Sequence, residues 1–236
     1  MKRIYIIILI LGVTISCDRK NNEVVSNRHF FYSNGILKSE GKNYSENEPI
    51  GIWNYYDSTG TLERIVDYRL INGKTYLNQD WYVSKLGDTI ANRGSNFNII
   101  FDKDTISIRE PIKAYVNLET PLFKNDNSSI FIVIPKDYSI NINEDFSNLE
   151  MVNLDTIYNL SLENEMRKAS ALTGDLTKTA FFGRYFDSVG NQKFRGIIVE
   201  YFYKDSIMGD STKLNYFENK KYFEKDVFVI DTSTIN

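Results

Sequence analysis

The chain predicts a mainly β protein, a short array of β-hairpins followed by an antiparallel β-sandwich with one short helix. Three observations carry that expectation. Aromatic residues make up 14% of the 236 positions, with 16 Tyr and 15 Phe, and they recur beside isoleucine and valine, a bias that favours strands. A unit of aromatic strand, polar turn and alternating strand repeats early in the chain at an offset of 25 residues. Beyond it, short apolar or alternating segments follow one another with Pro, Asp and Asn between them, as in a sandwich.

The first residues carry a different signal. Met1-Lys2-Arg3 is a short positive head, Ile4 to Val13 an apolar run, and Thr14-Ile15-Ser16 leads to Cys17, the single cysteine of the chain. The run is shorter than the roughly 20 apolar residues of a membrane-spanning helix and has the layout of a secretory signal peptide. With Ser16 as the small residue before Cys17, and Thr14 where leucine is usual, the segment resembles the lipobox of bacterial lipoproteins. That resemblance implies cleavage after residue 16, a signal peptide over 1–16, and lipidation of Cys17 as the first mature residue. Several hydrocarbon tails at about 0.8 kcal/mol per buried CH2 would anchor the chain stably. Residues 17–27, polar from Asp18 to Asn22, read as the lipidated tether.

The hairpin array is expected over 28–90. Phe30-Phe31-Tyr32-Ser33-Asn34-Gly35-Ile36-Leu37-Lys38 aligns with Tyr55-Tyr56-Asp57-Ser58-Thr59-Gly60-Thr61-Leu62-Glu63, and Gly51-Ile52-Trp53-Asn54 precedes the second unit. Trp81 to Ile90 reads as a third, decayed copy. Each unit is a hairpin whose turn glycine accepts positive φ at no steric cost, and single hairpins must stack to bury their apolar faces. Tyr55, Tyr56, Gly60, Leu62, Gly51 and Trp53 match the core of the MORN-type repeat, and the array resembles the variant found in YwqK-family antitoxins. The resemblance covers roughly residues 28–73 and implies stacked hairpins that serve as scaffold or contact surface.

The second domain is expected over 91–236. Asn98 to Phe101, Thr105 to Ile108, Ile112 to Leu118, Phe181 to Asp187, Phe194 to Tyr203 and Lys221 to Asp231 read as strands. Ser129 to Ile134 is continuously apolar and ends at Pro135, the pattern of a strand covered on both faces. Leu162, Met166, Ala169 and Leu172 fall at helical spacing between Ser161 and Gly174, which predicts the short helix. The strand pattern loosely resembles the immunoglobulin-like modules of bacterial surface proteins.

Counting reagents narrows the chemistry. With Cys17 committed to lipid, thiol catalysis, disulfides and cysteine-rich metal sites are excluded, and one histidine, His29, rules out a histidine-rich zinc site. A net charge of -3 gives no basic field for nucleic acid. Asp102 and Asp104 around Lys103, and Glu144-Asp145, read as solvated turn acids. No cofactor is expected and no catalytic residue is assigned. The remaining candidates are aromatic contact residues, Tyr32, Trp53, Tyr55, Tyr56 and Tyr68, because a phenol or indole joins apolar area to a polar edge. The function expected is a lipid-anchored envelope protein, in the outer membrane of a Gram-negative bacterium, acting as a non-catalytic binding or scaffold module toward a protein partner. Its rivals are an immunity lipoprotein that neutralises a toxin and a carboxylate-based envelope hydrolase.

Overall fold

A computed structural model describes residues 26–161, 175–208 and 211–231. Cys17, the signal segment, most of the tether and the helix expected over 162–172 lie outside the described residues. Within them the fold is mainly β, as expected, with two sheets and only two single 3-10 turns, Leu149–Met151 and Leu176–Lys178.

The first six strands are β1 (Ser26–Phe31), β2 (Leu37–Ser45), β3 (Glu48–Tyr56), β4 (Leu62–Ile71), β5 (Lys74–Val83) and β6 (Thr89–Phe101), each antiparallel to the next. The repeat is visible in its turns. In all three the first turn residue donates one backbone bond and accepts another: Tyr32 N to Ile36 O and Gly35 N to Tyr32 O, Asp57 N to Thr61 O and Gly60 N to Asp57 O, Ser84 N to Asp88 O and Gly87 N to Ser84 O. Gly35, Gly60 and Gly87 sit at φ of 82, 85 and 90°, where a side chain would be strained. The segment from Trp81 to Ile90 is therefore a third hairpin of the same geometry. Between the second and third units, Asn72 and Gly73 at φ 50 and 73° form the tight two-residue turn that suits twisted strands.

The later strands are β7 (Thr105–Ser107), β8 (Ile112–Thr120), β9 (Ser129–Pro135), β10 (Leu154–Tyr158), β11 (Thr179–Arg184), β12 (Gly190–Met208) and β13 (Ser211–Ile230). One sheet runs β1-β2-β3-β4-β5-β6-β8-β11 and the other β10-β9-β12-β13-β7, the short β7 being parallel to β13. β6 joins the two halves of the larger sheet. Its first part, Thr89 to Ser95, pairs with β5, and its second part, Asn96 to Phe101, pairs with β8.

The sandwich closes over one apolar core. β8 alternates strictly, with Ile112, Ala114, Val116 and Leu118 turned inward. Phe194 is fully buried among the rings of Phe101, Phe182, Phe186 and Phe223, at centroid distances of 5.7–6.3 Å. β9 is covered on both faces, as its apolar run predicts. Ile130, Ile132 and Ile134 face the core, while Phe131 and Val133 pack on a second cluster built from Ile142, Phe146, Val152, Ile197, Val199 and Tyr222.

Candidate functional site

Inside the array the expected contact residues are rungs of the repeat. Trp53 is 3% exposed. Its ring lies on Gly41, where an added Cβ would come within 2.4 Å of it, and its Nε1 donates to Lys42 O at 2.9 Å. Phe30 and Tyr55 flank it at 6.0 and 6.2 Å. Tyr32 donates to Tyr56 O at 2.7 Å, which ties the first turn to the second, and Asn34 donates to Ser58 O beside it. Tyr56 donates to Glu40 at 2.6 Å. Tyr55 and Tyr68 share a bond of 2.9 Å between their hydroxyls, and burial followed by that bond pushes the Tyr55 phenol well above its usual range. These rings pack the repeat; of the five, Tyr68 alone also lines an open cleft. His29 is exposed, 3.6 Å from Glu40. Asp102 caps Lys113 N, Asp104 pairs with Lys225, and Lys103 with Glu110. Among the described residues no cluster of three or more His, Cys, Asp or Glu could hold a metal.

The cleft, about 990 Å³, lies where the array meets the sandwich. Ile50, Tyr68 and Leu70 of β3 and β4 form one wall, the segment 141–147 the other, and Arg195 and Glu224 of β12 and β13 the floor. The second wall is fixed. Phe146 is buried edge-on against Tyr222 at 4.7 Å, Arg184 donates to Ser139 O and Asn141 Oδ1 at 2.8 Å, and Asn72 N donates to Asp145 O at 2.8 Å. On the floor, Arg195 donates to Glu224 at 2.5 Å and to Ile142 O at 2.8 Å, and Lys193 reaches Glu224 at 3.0 Å. Burial raises the Glu224 carboxyl, but the bonds from Lys193 and Arg195 outweigh it and hold the group below its usual range. A glycosidase-type acid needs the opposite shift.

Beneath the cleft is a polar joint. Fully buried Asn78 pairs with the β13 backbone like a strand residue: Tyr222 N donates to its Oδ1 at 2.6 Å and its Nδ2 donates to Tyr222 O at 2.9 Å. The same Nδ2 donates to Asp67 at 2.8 Å, and Asp67 also accepts from Arg69 Nε at 3.3 Å. Where β6 leaves β5, Gln79 Oε1 takes the Phe97 N–H and Asp80 Oδ1 the Ser95 N–H. Lys221, 2% exposed, donates to Asn78 O and Ser95 O at 3.0 Å each. Burial lowers its ammonium to about 8. These side chains replace ladder bonds that the diverging strands cannot make.

The arrangement is thus a pre-formed cleft between two fixed walls. Most of its charges are already paired. Glu144 and the terminal guanidinium nitrogens of Arg69 make no bond to other described residues. Sequence reasoning missed Asn78, Arg195 and the 141–147 wall, because each acts through partners far away in the chain. Comparison with family models, with curated proteins and with solved structures finds no match.

Proposed function

We propose that the chain is a lipid-anchored cell-envelope protein that works by contact, a non-catalytic binding module that receives a protein segment in the cleft between array and sandwich. The cleft itself is the observation that carries this reading. It is open and sized for side chains, with a phenol and aliphatic wall on one side and the polar segment 141–147 on the other, a free carboxylate at Glu144 and a free guanidinium end at Arg69. Those are the groups that fix the register of a polar peptide along a groove with one apolar wall. Anchorage through Cys17 would present the cleft from a tether of about nine residues, a reach of at most ~30 Å when extended. The MORN-like array would act as a stiff wall.

Affinity capture from envelopes of the native host tests the reading. Wild type, Cys17→Ala and Tyr68→Ala/Arg69→Ala are compared. A discrete partner enriched by wild type, and lost from both variants, is expected. Equal recovery with the cleft variant, or no partner at all, would contradict it.

A further inference from the structure

A second surface lies on the outer face of the five-stranded sheet, away from the cleft. Part of that face is covered by the 141–152 segment, which packs over Ile197, Val199 and Tyr222. Past this cover the face carries a file of rings. Tyr158 of β10 lies 6.3 Å from Phe131 of β9, and Phe131 lies 5.3 Å from Tyr201 of β12. Tyr201 is followed by Tyr203 at 5.9 Å and Tyr216 of β13 at 6.1 Å, and the last two stand 5.3 Å apart. The register makes the file diagonal. It crosses three strand spacings, ~14 Å, while climbing four residues, ~13 Å. Tyr158, Tyr203 and Tyr216 are 50, 55 and 44% exposed.

We propose that this tyrosine file binds a neutral oligosaccharide lying diagonally across the sheet. Three features select that occupant. The charges beside the file leave no cation free: Glu218 pairs with Lys220 at 2.8 Å and accepts the Tyr216 hydroxyl at 3.0 Å. Asp205, exposed two residues past Tyr203 on the same face, makes no ion pair with another described residue, so its carboxylate turns away an acidic ligand and can accept from sugar hydroxyls. Burial, the leading cause at both Tyr201 and Tyr216, raises their phenols, so the rings remain uncharged donors at neutral pH. The exposed area is small. Three half-exposed tyrosines, with Leu214 beside Tyr216 on the same face, offer roughly 400 Å², against about 800 Å² per partner in a stable protein interface. A sugar chain matches what is present, since its C–H faces sit on rings while its hydroxyls bond to phenol edges. The file goes beyond the cleft reading and does not depend on it.

Titration calorimetry tests the inference on the full chain in a detergent without sugar groups, using cellohexaose, maltoheptaose and chitohexaose. At least one should bind wild type, bind Tyr203→Phe a few-fold more weakly because the ring stays and one hydroxyl is lost, and bind Tyr203→Ala and Tyr216→Ala about tenfold more weakly. Both alanine variants should melt as wild type does, because the rings are half exposed. Binding by none of the three at millimolar concentration would overturn the proposal, as would affinity unchanged in both alanine variants. A concentration-dependent dimer lost in those variants would assign the file to a second copy and overturn it as well.

Discussion

Lys221 shows most clearly how a single residue is shaped by its surroundings. It stands on β13 with its stem in the sandwich and its ammonium on two carbonyls of the parting β5 and β6 ladders. No carboxylate touches it; Glu200, Asp80 and Asp67 act on it from a distance, and burial outweighs them. In the unfolded chain the ammonium returns to its usual value near 10.5, while in the fold it sits at about 8. Below pH 8 both states hold the proton and stability does not depend on the group. Between 8 and 10.5 the unfolded state holds more protons, so stability rises with pH. Relative to Lys221→Met, wild type should gain ~2 kcal/mol between about pH 7.5 and pH 9.5, read from urea midpoints. Tyr76 and Tyr222, both raised by burial, titrate in either protein and cancel from the difference. A flat difference would mean that water or a counter-charge reaches the ammonium. Gly41 makes a related point by packing, since the absence of its side chain is what lets Trp53 lie flat on β2.

Among the elements, hairpins were the easiest to read and joints the hardest. The turns at Gly35, Gly60 and Gly87 are local chemistry, a polar run and a glycine at fixed spacing, and even the decayed third copy keeps both of its backbone bonds. The Asn72-Gly73 turn carried an equally local signal in the sequence that was not used. β8 and β9 were legible because their apolar pattern reports directly on which faces are covered. β10 was not legible, because Leu154-Asp155-Thr156-Ile157-Tyr158 gains its strand character from pairing with β9. The reach of β12 and β13, 19 and 20 residues, was also missed, since a two-stranded ribbon extending past its sheet leaves little apolar signature. The joint was hidden altogether. Asn78 reads as an ordinary polar strand residue until Tyr222, 144 positions later, is placed against it. Asn78→Leu removes three hydrogen bonds and leaves buried backbone and the Asp67 carboxylate short of partners. The expected cost is roughly 3 kcal/mol. Amide exchange should quicken first in β5 and in the middle of β13; uniform quickening across the sandwich would argue against a local joint.

At the scale of the molecule, the array and one layer of the sandwich are one continuous eight-stranded sheet through β6. The boundary expected near residue 90 falls just inside β6, which begins at Thr89. That continuity gives the cleft its character, because array and sandwich share β6 and a buried polar joint, which hold the groove between them in shape without a ligand. The expected contact rings stand in the array, where most are absorbed by its packing. The surfaces open to a partner arise where distant segments meet, the cleft at Tyr68 and Arg69 and the tyrosine file at Tyr203 and Tyr216. A fixed body of this kind suits contact, and the proposed envelope role depends on anchorage. The most direct measurement is therefore the intact mass and N-terminal sequence of the protein recovered from membranes of its native host. The account predicts a chain beginning at Cys17, heavier than its polypeptide by a diacylglyceryl group and an amide-linked acyl chain. An unmodified Cys17, or a protein recovered wholly in the soluble fraction, would contradict it.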